Sequence, residues 1–369
     1  MGFFLSLRQI NPMKNKSIIS VLLVLLFSPI LLVIYPNSAF AQSDVAKSLT
    51  LPEATVTAEK VTRFSEYDYV MMDFELVNDK FFILQREKKS MKNHRVLVTN
   101  MLYDHVDTIQ LPTRLKPTHL EFDIAKNVQI VTQDSLYQIL EIDGKHCYGF
   151  PVEKKHYREV MHNCLFMTDR YVYFCNIKAD GYLMSFYRVA PQDKSLEVIF
   201  NNNDLQTLSE IPDEVAWHEA HQPKSGGLWF GPSPEDWEVF LRHVWMRPNQ
   251  AYLGCSNDTL YYFDHKNCKI ITYDEDLNML RSCDITYPDK ETFWHHTMYQ
   301  DRVSGKFYTI FGTVLNEINT KTGKTIPKTQ ANSFLSQKLI IYKGNLYSLK
   351  KKRDSGNIEV SYIEKTKLN

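Results

Sequence analysis

His119 and His162 each lie eight residues ahead of a turn-forming residue, Asn127 and Arg170 respectively. Equal spacing from equivalent turns predicts that the two imidazoles hold one position in two repeats of the chain. His295 and His296 open a comparable stretch, "FWHHTMYQD", and "WHEAH" adds His218 and His221. Neutral imidazole is a ready metal ligand and proton carrier. A set of this kind converging on one rim would bind a small ligand, or hold a divalent metal with His119, His162 and His296 as its ligands. "HEAH" is not the metalloprotease pattern, because its histidines are three residues apart where that pattern needs four. The plainer reading makes each histidine a hydrogen-bonded rim residue.

Two basic stretches supply the other candidate chemistry: "REKKSMKNHR" at 86–95 and "KKKRDSG" at 350–356. Both are expected between the second and third strands of their repeats, on the histidine side. Lys88, Lys89, Lys350 and Arg353 are then candidate contacts for an anionic small molecule, a glycan or an acidic envelope protein. The chain as a whole is neutral, with 43 Lys+Arg against 43 Asp+Glu, which argues against nucleic acid as a partner. There is no Gly-rich phosphate loop, no Gly-x-Ser-x-Gly elbow and no calcium-loop motif.

The elements that must position these residues are strands. A polar turn followed by alternating aromatic and β-branched residues recurs as "NDKFFIL", "KNVQIVT", "DRYVYFC", "NDTLYYF", "SGKFYTI" and "KGNLYSL". From Asp79 through Asn127, Arg170, Asp258 and Gly305 to Gly344, the landmarks are separated by 48, 43, 88, 47 and 39 residues. A period in the forties with four strands per unit predicts an all-β, six-bladed β-propeller of antiparallel four-stranded blades. Strands apolar on both faces, such as those of "NCLFMTDRYVYFCN" at 163–176, suit blades stacked between neighbours. In that hairpin Cys164 is expected opposite Cys175. In period and strand pattern the chain resembles secreted bacterial six-bladed propellers of the TolB-like or NHL-like kind. The resemblance implies a fold and carries over no functional residue.

The 88-residue gap leaves a seventh blade as the alternative. Residues 201–248 read better as a partly helical insertion, or lid, with a helix over "SPEDWEVFLRHVW" at 233–245. The N-terminal 41 residues read as a secretory signal peptide: a basic start at Met13, an apolar run from Ser17 to Tyr35, and Ala39-Phe40-Ala41 before cleavage. Cleavage leaves no transmembrane segment and places the protein in the periplasm or outside the cell. Residues 42–52 then form a linker, and the propeller occupies 53–369. The strand-like "EATVTAEKV" at 53–61 is expected to complete the last blade and close the ring. "LPEATVTAEK" also resembles the segment opening the plug of TonB-dependent receptors. Three functions stay open on these grounds: a binding or protein-interaction module with its site under 201–248, a metal-assisted lyase or hydrolase acting on an anionic glycan or small molecule, and an accessory of an outer-membrane complex.

Overall fold

The computed structural model describes residues 62–161, 163–220, 238–239, 241, 251–287, 294–331, 336–353 and 359–368. Short runs of β-branched and aromatic residues, punctuated by turns, build six antiparallel four-stranded sheets. Blade one is β2 (Tyr69–Val77), β3 (Lys80–Glu87), β4 (His94–Asn100) and β5 (His105–Leu111). Blade two is β6 (His119–Phe122), β7 (Val128–Val131), β8 (Ser135–Ile142) and β9 (Lys145–Glu153). Blade three is β10 (Cys164–Met167), β11 (Val172–Lys178), β12 (Leu183–Ala190) and β13 (Ser195–Asn203), and blade four is β14 (Tyr252–Ser256), β15 (Thr259–Asp264), β16 (Lys269–Tyr273) and β17 (Met279–Asp284). Blade five is β18 (Trp294–Gln300), β19 (Phe307–Phe311), β20 (Val314–Ile318) and β21 (Thr325–Gln330). Blade six is β22 (Ser336–Tyr342), β23 (Asn345–Arg353) and β24 (Glu359–Lys367), completed by β1 (Thr62–Phe64).

The protein is thus a six-bladed β-propeller whose ring is closed by its first strand. β1 pairs with β24 in the register Thr62 to Lys365 and Phe64 to Ile363. The closing strand lies immediately after the expected one; residues 53–61 themselves, like the signal peptide and the linker, fall outside the described residues. Phe64 is buried and stacks on Tyr103 of blade one at 4.8 Å, so the closing strand also joins blade six to its neighbour. Asn78 and Asp79, with φ of 48° and 61°, make the β2–β3 turn, as the Asn-Asp pair predicts.

Among the described residues, two α-helices of eight residues or more interrupt the strand order. α1 (Lys154–Met161) joins blade two to blade three, and α2 (Leu205–Ala220) follows blade three. The insertion therefore begins after Asn203, because 201–203 extend β13 and pair with Leu183–Ser185 of β12. The helix expected at 233–245 falls mostly outside the described residues; 238–239 are helical.

The "NCLFMTDRYVYFCN" hairpin departs from its expected register. Leu165 is bulged out, so Cys164 pairs with Phe174 while Phe166 pairs with Tyr173. One extra residue reverses the side-chain alternation. Cys175 then packs with Tyr173 against blade four, whereas Cys164 faces Val172 and Phe174 on the other side. None of the six cysteines is joined in a disulfide.

Candidate ligand-binding site

The first strands of the six blades ring a central axis and line a cavity of about 950 Å³. Its wall is crossed by a charge network that draws on four blades. Asp73 and Glu75 occupy alternate positions in β2 and are both buried. Lys338 of β22 bridges them, with its Nζ 3.1 Å from Asp73 and 2.7 Å from Glu75. The same ammonium donates to the carbonyl of Leu120 in blade two at 3.0 Å. Arg302 of blade five donates from Nη1 to Glu75 Oε2 at 2.7 Å, and its guanidinium lies 4.2 Å over the Phe122 ring. Asp73 in turn accepts the backbone N–H groups of Phe74 and Leu120 at 2.8 and 2.7 Å. Burial raises the Asp73 pKa above the usual carboxylate range, against the lowering pull of Lys338 and these N–H groups. Burying carboxylates is costly unless each is paired and hydrogen-bonded, and here both conditions are met. The network joins blades and does not offer an idle acid or base. Four carboxylates and four cations line the cavity, so it has no charge preference.

The rim residues singled out from the sequence are distributed around the ring. His119 opens β6, the first strand of blade two, as its spacing predicts. It sits between the Thr118 hydroxyl at 2.9 Å and Glu121 Oε1 at 3.0 Å. His295 and His296 lie near the start of β18 in blade five, across the ring, and His296 stacks on Trp294 at 4.1 Å. His162, His221 and the side chains of His218, His295 and Arg353 lie outside the described residues. Among the described residues no three His, Cys, Asp or Glu side chains are grouped to hold a metal ion.

The two basic stretches lie on neighbouring blades and differ in conformation. Lys88 and Lys89 lie in the β3–β4 loop, where Lys88 Nζ is 5.2 Å from the centroid of the Tyr67 ring. Lys350–Arg353, expected in a loop, are the end of strand β23, paired from Lys350–Tyr362 to Arg353–Glu359. Strand alternation sends successive side chains to opposite faces, and Lys350 is neutralised by Glu364.

A second cavity, of about 1510 Å³, extends over the outer part of blade two. It runs from Thr108–Gln110 of β5 across β8 and β9 to α1. Asp123, Tyr157 and Met161 line both this cleft and the axial cavity. Its position follows from how the blades pack. Among the described residues, five of the six seams between blades hold clusters of six to thirteen buried apolar residues. The seam between blades two and three has the smallest cluster, Val172 with Ile124, Met161, Cys164 and Phe174 half-buried around it. It is joined by Val131, Leu136 and Val189, which register places buried on the same facing sheet surfaces. There α1 packs on β8 and β9, and blade two turns Gln129 and Gln138 toward the seam in register with Glu121. Burial, with Asp123 and Glu121 nearby, raises the Tyr157 pKa, so its hydroxyl stays protonated and can donate. Burial also pushes the Cys164 and Cys175 thiols up to about 12 and Cys255 up to about 11, leaving no thiolate nucleophile among these three at neutral pH.

No protein-family model and no curated protein matches the chain. Among solved structures it is similar to virginiamycin B lyase from Staphylococcus aureus, at 11% identity, TM-score 0.34, over 84% of this chain and 99% of that one. A luciferin-regenerating enzyme aligns at 10% identity and TM-score 0.39, over 85% and 96% of the two chains. The calcium-binding protein regucalcin from Agrobacterium tumefaciens aligns at 10% identity and TM-score 0.35, over 82% and 95%. These likenesses assign no function to the chain, and its architecture rests on its own six sheets.

The sequence pointed to rim histidines and lysines and passed over the residues that line the two cavities. Asp73 and Glu75 did leave a signal. Two carboxylates in "VMMDFEL", a strand that must be buried on both faces, need partners from elsewhere. The blade-two cleft left none, because it arises where a seam fails to fill and no local pattern records that.

Proposed function

We propose that the protein is an exported, non-catalytic binding module whose ligand enters beside α1 on blade two and is held between the cleft and the axial cavity. The observation that carries this reading is the wall shared by the two cavities at Asp123, Tyr157 and Met161. A concave site of this size, joined to the channel at the least-filled seam, suits a ligand better than it suits packing. Binding is favoured over acid–base or nucleophilic catalysis because Asp73 and Glu75 are tied to Lys338 and Arg302, and because burial keeps the Cys164, Cys175 and Cys255 thiols protonated. Export is supported by the three-part leader at 13–41. No helix among the described residues is long and apolar enough to cross a membrane.

Hydrogen exchange on envelope-fraction protein, whose N-terminus should read Gln42, tests the reading. A library of saccharides, small anions and peptides is screened by thermal shift, and hits are mapped. Ligand-dependent protection is expected in residues 137–152 and 154–161. Protection confined to the rim around His119 and His296 would return the site to the channel mouth and overturn the reading.

A further inference from the structure

The cleft's lining narrows the ligand class. Tyr137 and Tyr148, ring centroids 5.9 Å apart and nearly perpendicular, line it together with Tyr157 of α1 and Phe150 of β9. Phe150 is 74% exposed, so it has little part in the core. The polar lining is mainly amide and hydroxyl, including Gln110, Gln129 and Gln138. Gln129 is nearly buried and donates from Nε2 to Asp123 Oδ2 at 2.8 Å, which fixes its amide plane and leaves its oxygen as an acceptor. Arg114 and Lys116 balance Asp123 and Asp134 around the wall.

Each feature selects. Balanced charge gives no electrostatic capture of a polyanion. Aromatic rings offer flat apolar faces, and tyrosine adds a hydroxyl at the edge. Each amide supplies two donors and an acceptor that meet groups both donating and accepting. Vicinal hydroxyls on a ring with one apolar C–H face have this chemistry. The volume exceeds the range of about 300–1,000 Å³ usual for single small ligands, which favours several linked sugar units. Resting on the binding reading above, we infer that the blade-two cleft is a site for a neutral oligosaccharide, with Phe150 as its stacking platform and Gln129 and Gln138 as hydroxyl partners.

Calorimetric titration of the full mature chain with laminarihexaose, cellohexaose and maltohexaose tests it. At least one should bind saturably and protect residues 137–152 from exchange. Phe150→Ala should weaken that binding by roughly tenfold with an unchanged melting temperature, and Gln138→Leu should weaken it as well. Tyr67→Ala, which removes a ring that is 86% exposed in the segment between β1 and β2, should leave it unaltered. Sugar binding that ignores both cleft substitutions would overturn the assignment. No binding of any hexasaccharide, with cleft protection by another library compound, would overturn the sugar class and leave the binding reading standing. A proline-rich peptide that binds in a Phe150-dependent way while the sugars do not would replace the ligand with a polypeptide.

Discussion

Asp301 is fully buried, yet its carboxylate joins two blades. Oδ1 accepts the N–H groups of Val303 at 2.9 Å and Lys343 at 3.0 Å, and Oδ2 accepts that of Gly344 at 2.8 Å. The first lies in its own turn and the other two in the hairpin turn of blade six. Gly344 has φ of +67°, which a side chain would strain. Burial alone would raise the Asp301 pKa, but these backbone donors outweigh it and hold the carboxyl below the usual range. A depressed folded pKa means the stabilisation is complete above the unfolded value of about 4 and is lost as pH falls through the folded value. Asp301→Asn places a donor against donors and should cost about 2 kcal/mol at pH 7. In denaturant unfolding the gap between wild type and variant should close below about pH 4. A gap that persists to pH 2 would show that the charge is not what holds the turns. None of this was legible beforehand. "YQDRVSG" reads as an ordinary turn, and the partner that buries its aspartate lies about forty residues away.

At the scale of elements, the strand order and ring closure were readable, and the reason is local. Each blade begins a tight turn followed by alternating strand-formers, so six repetitions carry the same message independently. α2 was not readable. Pro212 lies inside it, an asparagine run precedes it, and Ile211 is buried while Leu205 is 59% exposed. Such a helix owes its form to the surface beside it more than to its own period. The end of β23 misled for a related reason: four successive basic residues suggest a loop, but pairing with β24 continues through them. Closure by β1 also allows a decision between two contributions. Arg63 pairs with Glu364 at 3.1 Å but is 62% exposed, so Arg63→Ala should cost less than about 1 kcal/mol. Phe64 is 4% exposed and stacked on Tyr103. Phe64→Ala should therefore cost about 3 kcal/mol. Thermal and denaturant melts that rank the two in the opposite order would make closure electrostatic.

Over the whole molecule, the ring is unevenly cemented. The seam between blades six and one gathers thirteen buried apolar residues, from Phe64 through Tyr347 to Ile363. At the seam between blades two and three, Leu196 and Val198 of β13 share the face of Val172 and Phe174 yet remain about half exposed. Each side chain brought from exposure to full burial contributes about 1.5–3 kcal/mol, so a seam with four such residues, Val131, Leu136, Val172 and Val189, is weaker by several kcal/mol than its neighbours with eleven and eight. The recurring turns hid this, because a repeat read from its turns predicts equal seams and the bulge at Leu165 alters side-chain alternation without moving a turn. A closed ring with one weak seam should open there before it unfolds globally. Native-state hydrogen exchange in rising, sub-denaturing urea should show β8, β9 and β11 to β13 exchanging through a shared opening of lower free energy than that of β2, β3, β23 and β24. Phe64→Ala should lower the global value while leaving the early opening in place. A cleft ligand held beside α1 should raise the free energy of the early opening selectively, by the amount its affinity and concentration supply. Uniform exchange across all six blades would mean that α1 seals the seam as firmly as a packed core does.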